Sequence, residues 1–260
     1  MPTFAANIST MFDESDELDR LNHAAELGFK HVEWLFPYKV DKRQIKSRLD
    51  SNGLELILIN TALGTAKGDR GIGGVPGRED EFRKSMAQAI EYATEIDISL
   101  IHVMAGICTQ PSMRNQYLET FARNLSWSGE QLKGSSIRLL IEPLNQVDTP
   151  GYLICHTTEA LDLISQIDAA IGLQFDFYHM QIMEGNLGKT MADHIENIGH
   201  IQFSSLPGRH EPQYGEVNCQ YLFDLLDTLP YTGYVGCEYK PKTNVEEGLS
   251  WGSQYGLGSS

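Results

Sequence analysis

Arg138-Leu139-Leu140-Ile141-Glu142-Pro143 is a short apolar run that stops on a carboxylate. Pro143 has no backbone N–H to offer a sheet ladder, so the run reads as a buried strand that delivers Glu142 at its C-terminal end. The pattern returns in Gly172-Leu173-Gln174-Phe175-Asp176, in His200-Ile201-Gln202 and in Tyr234-Val235-Gly236-Cys237-Glu238. Parallel strands with these ends would aim the oxygens of Glu142, Asp176, Gln202 and Glu238 at one point.

Upstream of this half, four more strands are expected, over Phe4–Ile8, His31–Phe36, Leu54–Asn60 and Ser99–Val103. Helical stripes separate them. Ser15 is the expected cap of the first helix, with Leu18, Leu21 and Ala25 inward, and Phe82, Met86, Ala89, Ile90, Ala93 and Ile96 recur at the spacing of one helix face. Met191, Ile195 and Ile198 mark a short helix before the Gln202 strand, and Leu222, Leu225, Leu226 and Leu229 one before the Glu238 strand. Short buried strands alternating with helices imply a parallel sheet, and eight such units close into a (β/α)₈ TIM barrel. The fold class is therefore α/β, with one barrel domain over residues 1–251 and a Gly/Ser-rich flexible tail over 252–260. The glycine-rich stretch within 61–78 lacks the Gly-Lys-Ser/Thr of a phosphate-binding loop and is expected to be an active-site lid.

The formal net charge of −15 argues against nucleic acid as a partner, because phosphate binding needs a basic face. No stretch approaches the roughly 18 apolar residues that a membrane span requires, and Met1 to Ala5 leads directly into a strand without a basic leader. Cys108, Cys155, Cys219 and Cys237 are widely spaced, as expected of free thiols in a reducing cytoplasm. Trp127, Trp251 and the apolar helices leave room for a homo-oligomer.

Active sites of these barrels lie at the C-terminal ends of the strands, where Asn60, His102, Glu142, Asp176, His179, Gln202 and Glu238 all fall. Three carboxylates in one barrel mouth repel one another unless a cation or a proton intervenes. With Gln202 they form an all-oxygen set, which favours Mg²⁺ or Mn²⁺ over zinc or copper. Glu142 and Glu238 come from strands five and eight and can face a substrate from two sides, one as base and one as acid. That geometry suits isomerisation of an α-hydroxy carbonyl, with the metal polarising the carbonyl. Arg209 could clamp a substrate carboxylate or oxygen, and Lys240 could assist.

Ile141-Glu142-Pro143-Leu144-Asn145, Asp176-Phe177-Tyr178-His179-Met180-Gln181, Leu206-Pro207-Gly208-Arg209-His210-Glu211-Pro212 and Gly236-Cys237-Glu238-Tyr239-Lys240-Pro241 carry a further signal, joined by Val75-Pro76-Gly77-Arg78-Glu79 and His102-Val103-Met104-Ala105-Gly106. Over nearly its whole length the chain resembles the hydroxypyruvate isomerases of the xylose isomerase-like barrel superfamily. The resemblance implies that Glu142, Asp176, Gln202 and Glu238 are metal ligands, that Glu142 and Glu238 are also the acid/base pair, and that His179 and Arg209 contact a small hydroxy-carbonyl acid. The implied reaction is hydroxypyruvate to tartronate semialdehyde. A 2-oxo-tetronate isomerase and a ketose 3-epimerase are the alternatives within the superfamily; related epimerases usually place His where this chain has Gln202. Phe203-Ser204-Ser205 is more polar than the pattern leads one to expect. From other classes, a phosphodiesterase of the endonuclease IV kind would need many histidines and a basic approach, and a non-catalytic sugar-acid-binding barrel would have no use for both Glu142 and Glu238.

Overall fold

The computed structural model describes residues 1–258. Eight strands pair in chain order, all parallel, and the sheet closes on itself: β1 (Thr3–Asn7), β2 (His31–Glu33), β3 (Glu55–Asn60), β4 (Leu100–His102), β5 (Arg138–Ile141), β6 (Ile171–Asp176), β7 (Ile198–Phe203) and β8 (Tyr234–Cys237). The expected (β/α)₈ barrel is the observed one. Between them run α1 (Asp19–Glu26), α2 (Lys42–Asn52), α3 (Glu79–Ile96), α4 (Arg114–Gln131), α5 (Thr157–Ser165), α6 (Phe177–Met183), α7 (Leu187–His194) and α8 (Cys219–Leu226), with α9 (Val245–Gly248) after the last strand.

The apolar stripes behave as amphipathic helices should: Phe82, Met86, Ala89, Ala93 and Ile96 of α3 are all buried against the barrel wall. Inside the barrel, Ala5, Ile57, Leu58, Leu100 and Leu140 form a small separate apolar cluster. Polar side chains take over toward the C-terminal ends. Asn7 pairs in register with Glu33, Asn60 with His102, and Asp176 with Gln202, so the chemistry-bearing residues of neighbouring strands stand at matched heights.

Several local expectations change. Ser15 does not cap α1, which begins at Asp19 after a turn and has no side-chain cap; the Ser15 hydroxyl lies 3.3 Å from His23 Nδ1 instead. β2 ends at Glu33, three residues before the expected Phe36, with a bulge between Val32 and Glu33. Ile195 and Ile198 fall outside α7, and Ile198 already begins β7. α6 has no counterpart in the sequence reading; it starts where the Asp176 carboxylate accepts the Tyr178 N–H at 2.7 Å.

Two loops are more firmly held than their composition suggests. Gly71, Ile72, Gly73 and Gly74 are buried, and the backbone N–H groups of Gly73 and Gly74 donate to Met104 and Ala105. A Cβ at Gly71 would lie 2.4 Å from that of Met104, so the run is glycine because two backbones meet there. The stretch expected as a lid is thus sewn to the loop after β4, with Arg78 bonding both Asp69 and Glu81 below its exposed tip. At the C-terminus, residues 252–255 belong to a 3₁₀ helix (Leu249–Tyr255), Leu257 is buried and the Gly258 N–H donates to Leu27. Trp251 packs edge-on against Phe4 and Phe203. Ser259 and Ser260 of the expected tail lie outside the described residues.

Candidate active site

Every strand brings a hydrogen-bonding side chain to the barrel mouth: Asn7, Glu33, Asn60, His102, Glu142, Asp176, Gln202 and Glu238, in strand order. Glu142 and Glu238 stand one residue past the last residue of β5 and β8. The Glu142, Asp176 and His179 side chains converge, each offering an atom within 4.8 Å of the others, and all three are buried. Asp176 reaches Glu238 through Arg209, whose guanidinium nitrogen is 3.8 Å from Asp176 Oδ2 and 3.3 Å from Glu238 Oε2.

Burial, then the charges of Glu238 and Asp176, hold the Glu142 carboxyl well above the ordinary carboxylate range. Burial raises Glu238 as well, with Arg209 opposing it and Asp176 adding to it. The imidazoles go the other way: burial pushes His102 down to about 3 and His179 down to about 4, so both are neutral. The 3.4 Å contact between His102 Nδ1 and Glu142 Oε2 is therefore not an ion pair. Arg209 remains a cation, because the surrounding carboxylates outweigh the cost of its burial.

Arg209 has φ of 52°, in the left-handed region that a branched backbone with Cβ avoids. Ser205 builds the turn that keeps it there. The Arg209 N–H donates to the Ser205 carbonyl at 3.0 Å, the His210 N–H donates to Ser205 Oγ at 3.0 Å, and the Ser205 N–H donates to the His210 carbonyl. The unexpected polarity of this tripeptide thus serves the backbone around Arg209. The guanidinium also lies over the Tyr178 ring, 4.6 Å from its centroid. Lys240 is exposed and is tied in through its main chain, whose N–H donates to the Arg209 carbonyl.

Unpartnered buried polar atoms concentrate here: Asn60 Oδ1, both ring nitrogens of His102, Glu142 Oε1, Gln174 Oε1 and Asp176 Oδ2. Folded proteins leave few such atoms, so their clustering at one barrel mouth marks a place for a ligand. The free Glu142 and Asp176 oxygens fit a divalent cation, which would offset the burial and the neighbouring carboxylate charges that raise the Glu142 carboxyl. Gln202 is less free, since its Oε1 accepts from Gln174 Nε2 at 2.5 Å and its Nε2 donates to Glu33 at 2.8 Å. A surface groove of about 530 Å³ beside α7 and α8 has no such convergence.

The sequence reading missed Asn7, Glu33, Gln174 and His200. Glu33 accepts from Asn7 at 3.0 Å and from Gln202, and also contacts His200 Nε2. A carboxylate after an apolar residue in a strand was the available signal, but extending β2 through Trp34-Leu35-Phe36 hid it in mid-strand.

A closed parallel barrel with an acidic, partly unsatisfied mouth defines the class: the chain is a xylose isomerase-like TIM barrel, and the model of that family matches residues 21–255. It is 42% identical over 257 residues to the hydroxypyruvate isomerase of Escherichia coli, covering 98% of this chain and 100% of the relative. The 2-oxo-tetronate isomerase of Cupriavidus necator is also 42% identical over 257 residues, with 98% and 99% covered. Within the class, the chain belongs to the hydroxypyruvate isomerase family. A solved structure named AP endonuclease, family 2, from Brucella melitensis superimposes with a TM-score of 0.95 at 42% identity, covering 98% of this chain and 99% of that one.

Proposed function

We propose that this protein interconverts the ketone and aldehyde forms of a small hydroxy-carbonyl acid, with hydroxypyruvate to tartronate semialdehyde as the leading reaction and a 2-oxo-tetronate as the alternative substrate. The observation that carries the reading is the pair Glu142 and Glu238, a buried and a partly buried glutamate, both with raised pKa, on different sides of a mouth that also holds a cation, Arg209. A carboxylate whose pKa is raised is a stronger base toward a carbon-bound proton, and a second one in its acid form can supply a proton to the neighbouring carbon. The ligand set Glu142, Asp176, Gln202 and Glu238, with His179 beside it, suits Mg²⁺ or Mn²⁺, which when bound supplies Lewis-acid polarisation of the carbonyl.

The remaining steps belong to the chain. Arg209, anchored by Ser205 and stacked on Tyr178, meets the substrate carboxylate. His179 and the unpartnered His102 offer donors to the carbonyl and hydroxyl oxygens, and the unpartnered Asn60 Oδ1 accepts from a hydroxyl. One glutamate removes the proton from the hydroxyl-bearing carbon, the hydroxyl proton of that carbon passes to the former carbonyl oxygen, and the other glutamate delivers a proton to the adjacent carbon of the enediolate. Lys240 is a more distant electrostatic contributor.

A nucleic-acid substrate, as the Brucella structure's name would suggest, fits poorly: a phosphodiester would approach an acidic chain and meet clustered carboxylates. Among the described residues no helix is long and apolar enough to cross a membrane. Cys108, Cys155, Cys219 and Cys237 are all free thiols, which supports a cytoplasmic setting. The test is a panel of hydroxypyruvate, 2-oxo-tetronates and ketohexoses, assayed with and without chelator. Turnover of the acids that chelation abolishes and Mg²⁺ or Mn²⁺ restores is expected. Turnover of neutral ketohexoses alone would replace the acid reading, and full activity in verified metal-free protein would remove the metal.

A further inference from the structure

Glu33 ends β2, is fully buried, and crosses the barrel interior to reach two residues of β7, a strand that β2 does not adjoin. The room for this reach comes from Gly236 on β8. A Cβ at position 236 would lie 1.9 Å from Glu33 Oε1, and Gly236 does not have the positive φ that would otherwise call for glycine. Space for the Glu33 carboxylate is thus the reason for glycine at that point.

The two amides that face this carboxylate both donate to it. Asn7 Nδ2 and Gln202 Nε2 approach Oε2 at 3.0 and 2.8 Å, and His200 Nε2 approaches Oε1. The Asn7 orientation is independently fixed, because its Oδ1 accepts the Ser9 N–H at 3.1 Å. Oε2 accepts from both amides, which sets the Gln202 NH₂ toward Glu33. The Gln202 carbonyl oxygen is then left for the opposite side, where Gln174 Nε2 now donates to it at 2.5 Å. Rotated by half a turn, the same amide would present N–H bonds, which have no lone pair for a cation.

We infer that Glu33 is a positioning residue that sets the orientation of the Gln202 amide and thereby makes Gln202 an oxygen donor toward the carboxylate cluster. The inference rests on the proposal that Gln202 shares a divalent cation with Glu142 and Asp176, and a binding measurement separates the two. Mn²⁺ affinity is measured in substrate-free protein for the wild type, Glu33→Gln, Gln202→Glu and the double variant, together with the unfolding temperature of each metal-free form.

Glu33→Gln should weaken Mn²⁺ binding by about tenfold, the scale for loss of a group that orients a ligand. Gln202→Glu alone sets one carboxylate against another and should lower the unfolding temperature. The double variant restores a carboxylate facing an amide, with the roles exchanged, and should recover both stability and Mn²⁺ affinity. Single effects that simply multiply in the double variant would overturn the role of Glu33. A wild type that binds no Mn²⁺ would instead sink the metal reading, and the inference with it.

Should the variants not fold, wild-type NMR decides. Mg²⁺ should shift the Gln202 Cδ resonance while a Gln202 Nε2 proton stays protected from exchange. Loss of that protection, or no shift at Cδ, would overturn the inference.

Discussion

Asn145 directs two donors at one nitrogen of His179: its backbone N–H lies 3.2 Å from Nδ1 and its Nδ2 lies 2.7 Å from it. The amide cannot be the other way round, because Asn145 Oδ1 already accepts the N–H groups of Val147 and Asp148. Nδ1 is therefore the acceptor and the neutral ring carries its proton on Nε2, 3.7 Å from Asp176 Oδ2. That tautomer offers substrate a donor rather than offering a metal a lone pair. It accounts for His179 lying inside the acidic cluster without being one of the expected ligands.

Replacing Asn145 by Asp should favour the opposite tautomer, since a carboxylate at this place draws the proton to Nδ1. We expect kcat to fall roughly tenfold or more, the scale for losing a group that orients a catalytic neighbour. Steady-state kinetics alongside ¹⁵N shifts of the His179 ring check this. Unchanged ring shifts with unchanged kcat would show that Asn145 does not set the tautomer.

Glu142→Gln and Glu238→Gln should each lower kcat by about 10²-fold or more, the usual scale for loss of a general acid or base. If one glutamate removes the proton and the other delivers one, hydrogen from water enters the product. Turnover in D₂O, followed by mass spectrometry, should then place deuterium on carbon. The Glu142→Gln, Glu238→Gln double variant is the control for exchange without catalysis. Single-turnover product free of deuterium above that control would favour a hydride shift or a shielded single base.

Raised glutamates bind protons that a cation must expel. Because Glu142 and Glu238 are shifted upward, metal-free protein holds more protons near neutrality than ordinary carboxylates would, so Mn²⁺ affinity should rise with pH through that range. Titration calorimetry in two buffers of different ionisation enthalpy measures the protons released. Affinity that is flat with pH, with no proton release, would show that both glutamates are already ionised before the metal binds.

Arg209→Ala should raise KM for a carboxylate-bearing substrate more than for a neutral ketose, because a chain of net charge −15 depends on local cations to hold an anion. Loss of a charge-assisted contact predicts a roughly tenfold or greater difference between the two. Equal losses on both would mean that Arg209 serves the Asp176 and Glu238 carboxylates rather than the substrate.

The barrel was legible because each buried strand is short and punctuated: Ile141 is followed by Glu142-Pro143, and Cys237 by Glu238. The same rule found most of the mouth. It failed at Glu33, where Trp34, Leu35 and Phe36 continue the apolar run although β2 has ended, since leaving a sheet does not require leaving the core. His200 and Gln174 escaped for another reason: they lie two residues below Gln202 and Asp176 on the same inward faces, where a period-2 argument expects barrel filling. Gly71 to Gly74 and residues 252–258 misled through composition, because glycine here answers close backbone approach as well as freedom. Pairing of Asn145 with His179 has no signature in a single sequence.

Trp251 closes over Phe4, and Phe203 and Phe223 pack against both, so an aromatic knot joins the first strand to a segment almost a whole chain away. During synthesis from the amino end, Phe4 has no cover from that segment until it has emerged. The growing barrel therefore presents an uncapped hydrophobic seam until Trp251 has emerged, the circumstance in which nascent chains depend on holdase chaperones. Ribosome-bound chains stalled before Leu249 should bind such a chaperone and chains extended past Gly258 should release it; equal occupancy at both lengths would mean that the seam is hidden some other way.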